Sequence, residues 1–204
     1  MSTELFFIYD THCPWSYVTT PLINAVSREL PQVNINLWHN AYYDGETYID
    51  ENQLREIKNL TDKTFSSSYL ANISNSKDAT SCANLMAWAE NKTPQQSLAL
   101  LNAIQKAHFE QGNELDTADS FSEIIEELKL SPPTKVFRQD KLSKDAEAIV
   151  HEILSLQEII ATQAIPALLL AVNDELVLLN HNYYLQQPDA IVDAIKIEID
   201  KLSD

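Results

Sequence analysis

The sequence predicts an α/β fold in which both chain ends build one small sheet and a long helical stretch is inserted between them. Three observations carry this. Strand-like apolar runs occur near the two ends, the pattern from about residue 50 to 162 is helical almost throughout, and one cysteine stands where the first strand meets the first helix. At 204 residues and 45% hydrophobic content, the chain can bury a substantial core as one domain carrying a large insertion. The boundaries read as 1–49 with 163–204 for the sheet domain and 50–162 for the insertion.

"LFFIY", starting at Leu5, is a short buried strand, and "PWSYVTTPLINAVSREL" is a helix with Pro14 at its first position, where a missing N–H costs little. Cys13 is therefore the N-cap. Pro21 lies inside this helix and is expected to kink it. In "VNINLWH", Val33, Ile35 and Leu37 alternate with Asn34, Asn36 and Trp38, which is strand periodicity. Helical segments follow in "DENQLREIKNL", "DATSCANLMAWAEN" and "TPQQSLALLNAIQKAHFEQG", the last with Thr93 as cap, Pro94 in the first turn and Gly112 as stop. "DSFSEIIEELKL" and "SKDAEAIVHEILSLQEIIATQ" are two more, separated by the breaker "SPP". "IPALLLAV" and "LVLLN" then form a hairpin across "NDE", and "QPDAIVDAIKIEIDKL" closes the chain as an amphipathic helix. Strand, helix, strand, then a hairpin and a helix, with the cysteine after the first strand, is the order of a thioredoxin-like fold with a large all-helical insertion.

Composition narrows the function. Thirty acidic residues against fourteen basic ones give a net charge of −16, which repels phosphate backbones and anionic lipid, so neither nucleic acid nor a membrane surface is an expected partner. "MSTELFFIYD" has no basic n-region or long apolar core, and "AIPALLLAV" is far short of a membrane span. Two cysteines, Cys13 and Cys82, cannot build a disulfide framework and fit a reducing compartment. The expected location is the cytoplasm. With only Gly45 and Gly112, glycine-rich phosphate loops are not available. His12, His39, His108, His151 and His181 are scattered without metal-ligand spacing, so no metal is expected, and they read as surface or hydrogen-bonded histidines.

A thiol at a helix N-terminus meets unsatisfied N–H groups and the positive end of the helix dipole, so the pKa of Cys13 is expected to fall and the residue to act as a nucleophile. An inert buried thiol is the alternative. Ser16, one turn on, faces the sulfur and can donate a hydrogen bond to a thiolate, but it cannot attack a mixed disulfide as a second thiol would. His12 can add positive charge when protonated. Asp10 either accepts a proton near Cys13 or, as loop aspartates commonly do, bonds local backbone. Trp15 and Tyr17 are expected as an apolar collar around a substrate thiol, whereas Cys82, with Leu85, Met86 and Ala89 at helical spacing, reads as core.

Cys13-Pro14-Trp15-Ser16-Tyr17 after "FFIYD", together with "AHFEQGNELD" and Pro166 in "QAIPALLL", resembles the DsbA-like branch of the thioredoxin superfamily over nearly the whole chain. The likeness is greatest to its cytoplasmic FrnE-like and protein-disulfide-isomerase-like members, and the glutathione S-transferase kappa and 2-hydroxychromene-2-carboxylate isomerase group shares the layout. The resemblance implies that Cys13 is the nucleophile and that Ser16 stands in place of a resolving cysteine. It also implies that Pro166 is a cis-proline beside the site, with Ile165 offering its backbone to an extended peptide or to glutathione, and Pro14 and Trp15 lining the substrate's approach. An ordinary trans proline opening a strand is the alternative for Pro166. Two departures stand out: the second motif cysteine is missing, and Ala164 occupies a place often held by glycine. The implied function is a monothiol thiol–disulfide oxidoreductase with no tightly bound cofactor and glutathione as possible co-substrate, acting on a small thiol or on a peptide or protein disulfide. A kappa-type glutathione-dependent transferase or isomerase, and a non-catalytic peptide-binding protein linked through its thiol, are the alternatives.

Overall fold

The computed structural model describes residues 2–41, 51–173 and 175–203; Gly45, Asp50 at the start of one expected helix, and the boundary expected there lie outside them. Strands β1 (Thr3–Tyr9) and β2 (Asn34–His39) pair in parallel across helix α1 (Pro14–Glu29). The insertion then supplies α2 (Glu51–Leu60), α3 (Ser67–Ala71), α4 (Thr80–Lys92), α5 (Pro94–Gln105), α6 (Ser122–Glu127) and α7 (Lys144–Ile160). The chain closes with the antiparallel pair β3 (Ala167–Val172) and β4 (Glu175–Leu179) and with α8 (Ala190–Ser203). Strand order is β2-β1-β3-β4, with β1 antiparallel to β3.

Why "LFFIY" is apolar without interruption follows from what covers each side of β1. Leu5, Phe7 and Tyr9 enter the main core with α1 and α8, while Phe6 and Ile8 face the other way, toward Ile149, Ile153 and Leu156 of α7. A strand buried on both faces cannot afford polar alternation. The main core also crosses the boundary expected near residue 50: Leu5 and Leu37 share it with Ile57, Leu85, Leu101 and Phe109. Each such fully buried side chain contributes roughly 1.5–3 kcal/mol.

Local signals place most helix ends. Cys13 is the N-cap of α1 with extended backbone, Pro14 occupies the first turn, and α1 runs as one helix through Pro21. Thr19 and Thr20 donate their hydroxyls back to the carbonyls of Trp15 and Ser16 at 2.9 and 3.0 Å. Ser143 caps α7, accepting from the Ala146 N–H at 3.2 Å. The helix expected over 93–112 is α-helical only to Gln105 and continues as a π turn over Lys106–Glu110 before closing at Gly112. Thr93 does not cap it with its side chain. Gly112 has φ +74°, and a Cβ there would lie 2.5 Å from Ser68 Cβ, so glycine is required twice over. The segment expected as a helix over 119–130 begins as a 3₁₀ turn, Ala118–Phe121, and is α-helical only over α6. The short α3 has no sequence signal beyond its Ser66 cap, which accepts from the Tyr69 N–H at 3.1 Å.

Candidate active site at the N-terminus of the first helix

Register alone assembles the site. Ile8 lies opposite Ala167 and Tyr9 opposite His39, so the loop Asp10–Cys13, the end of β2 and the segment entering β3 all leave the same end of the sheet. The Ile165–Pro166 peptide at that end is cis. Pro166 is buried and Ile165 half-buried against Ile8 and Ala167. Pro14 is buried, and Trp15 is half-buried against the main core. Tyr17 is not part of a collar. It is 2% exposed, stacks on Phe109 with ring centroids 4.5 Å apart, and donates its hydroxyl to Glu110 Oε1 at 2.6 Å. Position 17 points inward because it lies on the face of α1 that meets the insertion.

Cys13 has the surroundings that the sequence led us to expect, but not the ionisation. Its N–H donates to the Asp10 carbonyl at 3.1 Å, and its sulfur is biased toward thiolate by the Ser16 hydroxyl and by the Ser16 and Trp15 N–H groups. None of these N–H groups closes a strict cap bond. Ser16 Oγ itself accepts from the Asp10 N–H at 3.3 Å, which holds the hydroxyl under the sulfur. Burial nevertheless outweighs these donors: with 3% exposure, the Cys13 thiol is pushed up to about 11. The expected fall in pKa is therefore corrected, because desolvation of a buried thiolate exceeds the pull of the donors at the helix end. Cys82 is also buried and is pushed up to about 12, again chiefly by burial.

Around Asp10, next to the Cys13 loop, the fold gathers polar groups from separate parts of the chain. Asp10 is fully buried, accepts the His12 N–H at 2.9 Å, and has its carboxylate within 3.4 Å of His12 Nδ1 and 3.8 Å of His39 Nδ1. Burial works against its charge, but His39 and His12 win, and the carboxyl lies below its ordinary range. Of the two roles open to Asp10, this supports the backbone-bonding one and makes it a poor proton acceptor. Both ring nitrogens of His39 are engaged, with the Thr11 hydroxyl at 2.9 Å and the Ala41 N–H at 3.0 Å. The π turn brings in three consecutive residues: His108 against His12, Phe109 against Tyr17, and Glu110 against the Tyr17 hydroxyl. π turns recur at functional sites. The scattered histidines thus divide differently from expectation, with His12, His39 and His108 buried in one cluster. The signal available was that His39 ends β2 just as Asp10 follows β1. Nothing local marked His108.

This is the DsbA-like arrangement of a thioredoxin fold: a helix-capping cysteine, a cis-proline at the same end of the sheet, and a helical insertion over both. No protein-family model matches the chain, and none of the curated proteins does; its likenesses are to solved structures. The cytosolic disulfide reductase DsbM from Pseudomonas aeruginosa superposes with a TM-score of 0.82 at 22% identity, covering 96% of this chain and 98% of that one. Its structure with GSH gives 0.79 at 21% identity over 96% and 98%. A protein from Nitrosomonas europaea, proposed to be a protein disulfide isomerase, gives 0.70 at 14% identity over 97% and 98%. Among the described residues no helix is long and apolar enough to cross a membrane, and no group of three or more His, Cys, Asp or Glu side chains is placed to hold a metal ion.

Proposed function

We propose that this chain is a cytoplasmic monothiol thiol–disulfide oxidoreductase. Cys13 attacks a disulfide or a glutathione mixed disulfide, and an external thiol, glutathione, releases the product. The observation that carries this is Cys13 at the N-cap of α1 with a hydroxyl, not a second thiol, at Ser16 beneath it. An intramolecular disulfide cannot form at that motif, so the mixed disulfide must wait for a thiol from solution. Support for glutathione comes from DsbM, a disulfide reductase of the same fold whose structure is known with GSH. Ile165 and Pro166 would hold the extended ligand beside the sulfur. The two-cysteine composition supports the reducing compartment.

The test is turnover of a glutathionylated peptide with glutathione as reductant. Activity lost in Cys13→Ala is expected. A stoichiometric adduct without turnover would favour a thiol-linked binding protein. Conjugation of a small electrophile without disulfide exchange would move the kappa-type reading ahead.

A further inference from the structure

The edges of the sheet are β2 and β4, and a cavity of about 560 Å³ lies against β2. Its walls are residues 33–37 of the edge, the end of α1, Glu90 near the end of α4, and Gln95 and Ser97 in the first turn of α5. It stops short of His39 and of the sheet end that carries Cys13.

Hydrogen bonding shows which way the backbone of this edge faces. The Leu37 N–H donates to Glu90 Oε2 at 3.1 Å rather than to β1, while the Asn40 N–H turns back to the Tyr9 carbonyl at 2.7 Å. Lateral direction alternates along a strand, so the N–H and carbonyl of Ile35 face outward with those of Leu37. Among the described residues neither group of Ile35 has a partner on that side. Glu90 thus stands where the carbonyl of a further strand would stand at Leu37, and Ile35 is left open onto the cavity. An edge blunted at one position and open at the next can still be joined by another strand.

The charge of the cavity selects that strand. None of the residues lining it is basic, and no cation acts on the half-buried Glu90 carboxylate. Burial pushes the Glu90 carboxyl up, against the pull of the Ser97 hydroxyl and the Leu37 N–H, which is the condition of a carboxylate that lacks a counter-ion. Glu4 brings a second negative charge to the rim, accepting the side-chain amide of Asn36 at 3.0 Å. The net charge of −16 adds a long-range field of the same sign. A neutral or acidic segment gains nothing from these groups, whereas a lysine or arginine side chain meets an unpaired carboxylate.

We propose that the cavity beside β2 is a docking site for an extended basic segment of a partner polypeptide. The segment adds to the sheet as a fifth strand, exchanging backbone hydrogen bonds with Ile35, and one of its lysine or arginine side chains pairs with Glu90. Gln95 and Ser97, from α5, offer further hydrogen bonds on the far wall. The site is separate from Cys13 and does not depend on the chemistry proposed there.

The test uses the intact chain and the capped peptide Ac-Val-Lys-Val-Lys-Val-NH2, with binding followed by calorimetry and by the backbone amide NMR signals. The expected result is saturable binding that weakens with added salt and moves the Ile35 and Leu37 amide signals. The same peptide with glutamate in place of lysine should not bind. Glu90→Gln keeps an oxygen for the Leu37 N–H and removes the charge, so it should remain folded by circular dichroism and bind at least roughly tenfold more weakly. Wild type should also lose affinity for a peptide N-methylated at alternate backbone nitrogens, which can no longer pair as a strand. No binding, equal binding of the glutamate peptide, or unchanged affinity in folded Glu90→Gln overturns the proposal. So does undiminished binding of the N-methylated peptide or of lysine amide alone, since the cavity would then hold a small cation and not a strand. Cys13→Ala should bind the peptide as wild type does, so failure of the thiol chemistry leaves this inference standing.

Discussion

The first turns of α1 and α4 each bury a cysteine, and the two could hardly be more alike by position: Cys13 caps one helix and Cys82 is the third residue of the other. Both thiols are pushed well up by burial. Their difference lies in donors and company. Cys13 is served by the Ser16 hydroxyl and by two N–H groups, whereas Cys82 is served by the Thr11 hydroxyl and is packed with Leu85, Met86 and Ala89. A helix N-terminus therefore does not make a thiol reactive by itself. What separates these two is how many hydrogen bonds reach the sulfur and that only Cys13 lies at the end of the sheet where the cis Ile165–Pro166 peptide enters β3.

The largest effect expected from breaking this contrast is in Cys13→Ala, which should abolish both disulfide exchange and the alkylation of the motif thiol. Cys82→Ala should leave both in place and cost about 1 kcal/mol of stability in denaturant unfolding, the loss of one buried sulfur. If Cys82→Ala proved the inactive one, the contrast drawn here would be wrong.

Restoring a partner thiol sharpens the same contrast. Ser16→Cys places a thiol where the Ser16 hydroxyl now reaches the Cys13 sulfur, so a disulfide should form between positions 13 and 16, leaving Cys82 free. Mass spectrometry should show the glutathione adduct of this variant resolving within itself, while the wild-type adduct persists until thiol is added. A protein-disulfide reduction assay should show the accompanying gain of dithiol activity.

Acid probes the cluster that both cysteines border. His39 and His108 are folded neutral, with values near 4 and 3, against about 6.5 when unfolded. Between those limits the unfolded chain binds more protons, so stability falls as pH drops from about 6.5 toward 4 by roughly 1.4 kcal/mol per unit for each histidine. Asp10, folded with a depressed value, adds a further loss at lower pH, where its carboxyl protonates. Urea unfolding at pH 7, 6 and 5 measures this, and a flat profile would contradict the buried neutral imidazoles.

The smallest expected effect is in Ser16→Ala. Removing one of several donors to the Cys13 sulfur should slow its alkylation at pH 7 by several-fold, about half a pKa unit to one unit, without abolishing it. An unchanged rate would mean that the N–H groups alone hold the thiolate.

How legible each part was depends on the range of the forces behind it. Pro14 after Cys13, the apolar run of β1 and Gly112 at a helix end are local signals: each is a requirement met within a few residues, and each was readable in the chain. The cysteine and its serine were readable for the same reason, whereas the cis form of the late proline was expected only from the family resemblance. The π turn, the short α3 and the inward turn of Tyr17 were not, because they are set by what packs against them from residues far away in sequence. So it is with the ionisation of Cys13. The sequence by itself determined that a thiol would cap a helix beside a hydroxyl; only the tertiary structure decided that it would be buried and opposed by the charge of Asp10, about which His12, His39 and His108 gather. Desolvation and charge pairing depend on distance in space, and residue spacing along the chain does not carry that information.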